Sequence, residues 1–216
     1  MELNSSTAGR EGQESKVREF MKKKEEELQR SCQVDENRED CYHYAEFMKS
    51  LDAQKAAEIH RSTCEGMGLL DSCLALGNMH YVGHGVPKDL SKALSIFETA
   101  CEKGSSGACN NAGLVWKTSR PDVQADYSRA AEFFHRACNG GHKNGCFNLS
   151  ALYLQGSSLV PKNMPKALEF SLRSCELGHP YGCANAARMY LLGDGVETDA
   201  GKAEELKKKA KKLINS

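Results

Sequence analysis

The sequence has no charge of one sign in excess: 29 lysines and arginines are balanced by 29 aspartates and glutamates, with a pI of about 7.0. A nucleic-acid surface normally shows as a basic surplus, so that neutrality argues against one. No apolar run approaches the roughly eighteen residues that span a bilayer. The opening stretch, MELNSSTAGREGQESK, lacks the apolar segment of a secretory signal. It is not arginine-rich and acid-poor like a matrix presequence either, because Glu2, Glu11 and Glu14 interrupt it. Residues 1–13 are expected to form a disordered lead. Serine followed by lysine at the third position, glycine-rich phosphate loops, H-E-x-x-H and G-x-S-x-G are all missing. No catalytic constellation is therefore expected.

Cysteine is abundant instead. Ten of them fall into five pairs: Cys32 and Cys41, Cys64 and Cys73, Cys101 and Cys109, Cys138 and Cys146, Cys175 and Cys183. From Cys64 onward the first members recur every 37 residues. Such periodicity marks a repeat architecture. Asp52, Asp89, Asp126, Asn163 and Asp199 keep nearly the same step, and each can cap a helix by accepting from first-turn amides. Three residues on stand Lys55, Lys92, Arg129, Lys166 and Lys202, each followed by alanine.

Each unit reads as two helices. Helix A starts near the second cysteine of a pair. Four residues later comes a small residue (Gly77, Gly113, Ser150, Ala187), and three beyond it a large ring (His80, Trp116, Tyr153, Tyr190). The small residue admits a neighbouring helix and the ring fills the space beside it. Helix B runs from the cap to the next first cysteine, with Gly66, Gly104, Gly140 or Gly178 as its stop. In the last unit Lys211 takes the cysteine's place, as a terminal cap would have it. A helix over residues 14–36 precedes five units, at about 37–67, 68–104, 105–141, 142–178 and 179–216. The expected fold is all-α, an α/α solenoid of eleven helices.

Each cysteine pair joins the last turn of a helix B to the first turn of the next helix A. A disulfide needs Cα atoms about 4.4–6.8 Å apart, which antiparallel neighbours joined by a tight turn can meet. Nearest-neighbour pairing at all five junctions is expected, as structural staples. Metal binding has the wrong ligand spacing. His142 and His179, one repeat apart, are expected to be polar turn residues, with haem or copper ligation as the competing reading. Met79, Met164 and Met189 are expected to pack rather than to serve as axial ligands. One polar column suggests binding: Asn111, Asn148 and Asn185, two residues after the second cysteine, could grip an extended peptide backbone.

Residues 73–101, CLALGNMHYVGHGVPKDLSKALSIFETAC, resemble the cysteine-rich form of the Sel-1-like repeat. The resemblance covers residues 39–216, and KTSRPDVQAD in the third unit departs from its Gly-x-Gly-Val loop. One branch of that family comprises secreted Helicobacter proteins. The other comprises assembly factors for cytochrome c oxidase in the mitochondrial intermembrane space. The extra N-terminal helix, the short first unit and the C-terminal sequence are similar to the second branch. That likeness implies a non-enzymatic, protein-binding role in complex IV biogenesis. It also implies import through the intermembrane disulfide relay, and no nucleic acid or membrane span. The alternative it leaves is a haem-binding protein or thiol–disulfide oxidoreductase delivering metal or cofactor to the oxidase.

Overall fold

A computed structural model describes the backbone of residues 5–118 and 124–215, with side chains from residue 16 onward. Among the described residues there are eleven helices and no strand. They are α1 (Ser5–Gln33), α2 (Arg38–Met48), α3 (Ala53–Met67), α4 (Leu70–Val82), α5 (Leu90–Glu102) and α6 (Ser106–Lys117). Beyond these lie α7 (Tyr127–Asn139), α8 (Lys143–Gln155), α9 (Met164–Glu176), α10 (Pro180–Leu192) and α11 (Ala200–Ile214). The fold class is the α/α solenoid. α1 corrects the expected lead: residues 5–13 are helical, and residues 1–4 lie outside the described residues. Part of the departing loop, residues 119–123, lies outside them too.

The chain divides after Asp89 into two compact units. Repeats contact mainly their sequence neighbours, so a division between helices of an array is physically ordinary. The first unit, α1–α4, has a core of Leu28, Cys32, Cys41, Tyr44, Met48, Ala56, Ala57 and Met79. The second unit, α5–α11, centres on Phe134, Leu149, Leu152 and Phe170, followed by Ala167, Ala186, Met189 and Ala203.

The helix starts follow from local chemistry. Asp52, Asp126, Asn163 and Asp199 each accept from the amide three residues ahead, at 3.0, 2.9, 3.0 and 2.8 Å. Their own amides do a second job. Those of Asp89, Asp126, Asn163 and Asp199 donate to the carbonyls of His80, Trp116, Tyr153 and Tyr190 at 2.9–3.0 Å. The ends of α6, α8 and α10 are thereby tied to the starts of α7, α9 and α11.

One stop signal is corrected. Gly66 lies inside α3, and the left-handed cap is Gly68 at φ +69°. Two residues more of helix fit before the turn in the longer C-x8-C spacing. In the loops after α4 and α10, Gly85 and Gly195 both have positive φ. A Cβ on either would meet the start of the preceding helix B, 2.0 Å from the Ala53 carbonyl oxygen or 2.5 Å from the Met164 carbonyl carbon. These glycines let one repeat's loop sit on the helix start of the repeat before it.

Candidate partner-binding surface

The five bridges are Cys32–Cys41, Cys64–Cys73, Cys101–Cys109, Cys138–Cys146 and Cys175–Cys183, with Cα separations of 4.5–4.8 Å. There is no free cysteine. Each bridge sits where helix B ends and helix A begins. Close approach is enforced by small residues: a Cβ on Gly145 or Gly182 would stand 2.5–2.6 Å from Ala137 or Ser174 of the preceding helix B. Nine of the ten cysteines are buried. Cys64 is only half-buried, which sets its bridge apart in access to solvent.

The asparagine column is partly consumed by the fold. Asn148 donates to Asn110 Oδ1 at 2.9 Å, and Asn110 donates to Asn111 Oδ1 at 3.2 Å. Asn110, which sequence reasoning passed over, is the buried member at 4 % exposure. Its signal was present: the position after the second cysteine is Leu74 or Phe147 in neighbouring repeats, and a lone amide there needs a partner. Two successive A helices, α6 and α8, are therefore joined through amides in their second turns. Asn185, half-buried on α10, continues the column. The half-exposed parts of Asn111, Asn148 and Asn185 remain the polar line along which a peptide could lie.

A ring cluster includes Phe147, the sequence neighbour of Asn148. Phe147 stacks on His179 with centroids 4.5 Å apart, and Tyr181, 63 % exposed, tilts against both. His142 and His179 are helix N-caps, each accepting from a backbone amide through Nδ1 at 3.3 and 3.2 Å. Burial, with Lys143 adding to it, pushes both imidazoles below their ordinary range and keeps them neutral acceptors. That capping duty leaves Nε2 as the nitrogen a ligand role would use. Met79 and Met189 are core residues, and Met164 packs against the cluster that contains Ala186 and Met189. No group of three or more metal-ligating side chains occurs among the described residues.

A second column joins rings to cations. Lys55 lies over Tyr44 at 5.3 Å, Arg129 over Trp116 at 4.5 Å, Lys166 over Tyr153 at 5.3 Å and Lys202 over Tyr190 at 4.8 Å. The adjacent Tyr190 side chain raises the Lys202 ammonium above its ordinary range. Trp116 also donates through its indole nitrogen to Glu98 at 2.9 Å. Each ring is thus held between a core on one side and a positive charge on the other.

The Sel1 repeat model matches residues 70–105, 106–142, 144–179 and 180–214. This chain belongs to the Sel1 repeat family. The first cysteine pair, the N-terminal helix and α2–α3 precede the matched Sel1 repeats. Over 108 residues the chain is 39 % identical to mouse cytochrome c oxidase assembly factor 7 and 38 % identical to the human protein of that name; the stretch covers 47 % of this chain and of each relative. A Drosophila melanogaster homologue of that factor is 30 % identical over 109 residues, 47 % of this chain and 40 % of that one. The chain thus spans about half the length of the curated relatives it matches. A crystal structure of a Sel1 repeat protein from Oxalobacter formigenes superposes with a TM-score of 0.76 at 23 % identity, covering 88 % of this chain and 79 % of that one. A protective antigen of uropathogenic Escherichia coli gives 0.75 at 22 % identity, covering 86 % and 40 %. Both likenesses show the Sel1-type helical-repeat fold.

Proposed function

We propose that this Sel1 repeat chain is a non-enzymatic assembly factor for respiratory complex IV, working as a protein-binding solenoid in the mitochondrial intermembrane space. The observation that carries the reading is the stretch similar to cytochrome c oxidase assembly factor 7 in mouse, human and fly. Its placement between the membranes is supported by five bridges that need an oxidising compartment. No helix of the described residues is long and apolar enough to cross a membrane. The polar line of Asn111, Asn148 and Asn185, flanked by Phe147 and Tyr181, is the proposed grip on a partner. Entry would proceed through the disulfide relay, the reduced chain being trapped by oxidation.

The test is removal of the protein from cells, followed by separate assay of the respiratory complexes. Cytochrome c oxidase activity should fall before the others, and a protein carrying Asn148→Ala with Tyr181→Ala should restore it poorly. Unchanged oxidase activity would sink the function. A tagged copy recovered from the cytosol with reduced thiols would sink the location. An absorption spectrum of the purified protein decides the haem reading, which requires a Soret band.

A further inference from the structure

The last two turns of α11 carry Lys207, Lys208, Lys209, Lys211 and Lys212, all exposed around the buried Ala210. None of the five forms an ion pair among the described residues, although Glu204 and Glu205 lie one turn away. The α9 counterparts of Lys207 and Lys211 are Ser171 and Cys175, and both are buried. The opposite side of α11 is fully used: Ala203 and Leu206 pack into one core cluster, Ala210 and Leu213 into another. A chain with no net charge therefore gathers five of its 29 basic residues into six positions on one outward helix face.

We propose that this face docks reversibly on an anionic lipid surface. Its chemistry fits that occupant. Lysine ammoniums are compact, strongly hydrated point charges, suited to a diffuse field of phosphates rather than to forked reading of one carboxylate. A convex helix face offers charge without a groove to seat a peptide. Ile214, 63 % exposed and one turn from Lys211, adds an apolar side chain at the depth where headgroups meet acyl chains. Attraction of this kind acts within a Debye length and weakens with salt. The inference does not depend on the complex IV reading.

The experiment is co-sedimentation of the oxidised, full chain with vesicles of phosphatidylcholine alone or mixed with phosphatidylserine. Binding is expected only to the mixed vesicles and should fall steeply as salt rises. Each Lys→Gln change at 207, 208 or 211 should lower partitioning about fivefold. Lys207, Lys208 and Lys211 changed together to Glu should abolish it, while Lys22→Glu with Lys23→Glu on α1 should leave it intact. Circular dichroism melts of each variant confirm that the helices persist, since all these side chains are exposed. Equal binding to both vesicle types, or undiminished binding of the triple Glu variant, overturns the proposal. Binding to polyglutamate that matches or exceeds binding to the mixed vesicles at the same salt overturns it in favour of an acidic protein partner.

Discussion

The Arg129 guanidinium sits 4.5 Å from the centre of the Trp116 ring, and the two are also coupled through the backbone. Asp126 donates its amide to the Trp116 carbonyl and accepts from the Arg129 amide at 2.9 Å, so one capping residue sets the separation of ring and cation. The same arrangement recurs at Tyr153–Lys166 and Tyr190–Lys202. A loop closure and a charge–ring contact are therefore one device, repeated along the second unit.

Breaking that device at its closest contact gives the first prediction. Arg129→Ala should lower stability by about 0.5–1 kcal/mol, the worth of a cation over a ring at an exposed site. Trp116 is the sole tryptophan, so its fluorescence reports this repeat directly. A double-mutant cycle with Trp116→Leu in denaturant titrations measures the coupling; a value of zero would show that the contact is geometric only.

Two glycines should respond in opposite directions to alanine. Gly145→Ala places a Cβ 2.5 Å from the Ala137 side chain and 3.0 Å from the Cys138 amide nitrogen. Overpacking of that kind costs about 1–3 kcal/mol. Gly66 lies within α3 with nothing near its missing Cβ. Gly66→Ala should therefore stabilise by about 0.5–1 kcal/mol, through helix propensity and a less flexible unfolded chain. Thermal melts of both variants decide the matter.

Reduction should not be uniform. Exchange requires a thiolate to reach a sulfur, and Cys64 is the one bridged cysteine that is not buried. Under limiting reductant, Cys64–Cys73 should open first. Timed alkylation and peptide mapping give the order. If Cys138–Cys146, buried at both ends, opened as early, access would not be the controlling factor.

Acid should weaken the first unit through His60. Its imidazole is wholly buried, 3.3 Å from Glu46 Oε1. Burial lowers its affinity for a proton; Glu46 opposes that and Lys49 reinforces it. Tyr42, whose ring centre lies 5.7 Å away, is a further titratable neighbour. In the unfolded chain the same group titrates near an ordinary pKa of about 6.5, so the unfolded state binds the proton first. Stability should be full above about pH 6.5 and decline as pH falls from there through the lower folded value. His142 and His179 act with the same sign. His60→Gln should flatten, without abolishing, the slope of stability between neutral and mildly acid pH; an unchanged slope would remove His60 from the account.

The sequence by itself determined what is local. Asp126, Asn163 and Asp199 cap the helices they precede because a side-chain oxygen reaches only three residues ahead, a relation visible in one dimension. The bridges were legible for the same reason, each spanning eight or nine residues across a single turn. Gly66 was misread as a stop because a two-residue extension of α3 changes no periodicity. Only the tertiary structure decided which columns meet. The rings and the cations each showed as a repeating position, but whether Lys166 lies over Tyr153 depends on the angle between helices A and B. Asn148 reaching Asn110 depends on how one repeat rests on the next, 38 residues away. The exposure of Cys64 and the burial of His60 depend on which side chains surround them once the helices are packed, and spacing along a chain carries no record of that.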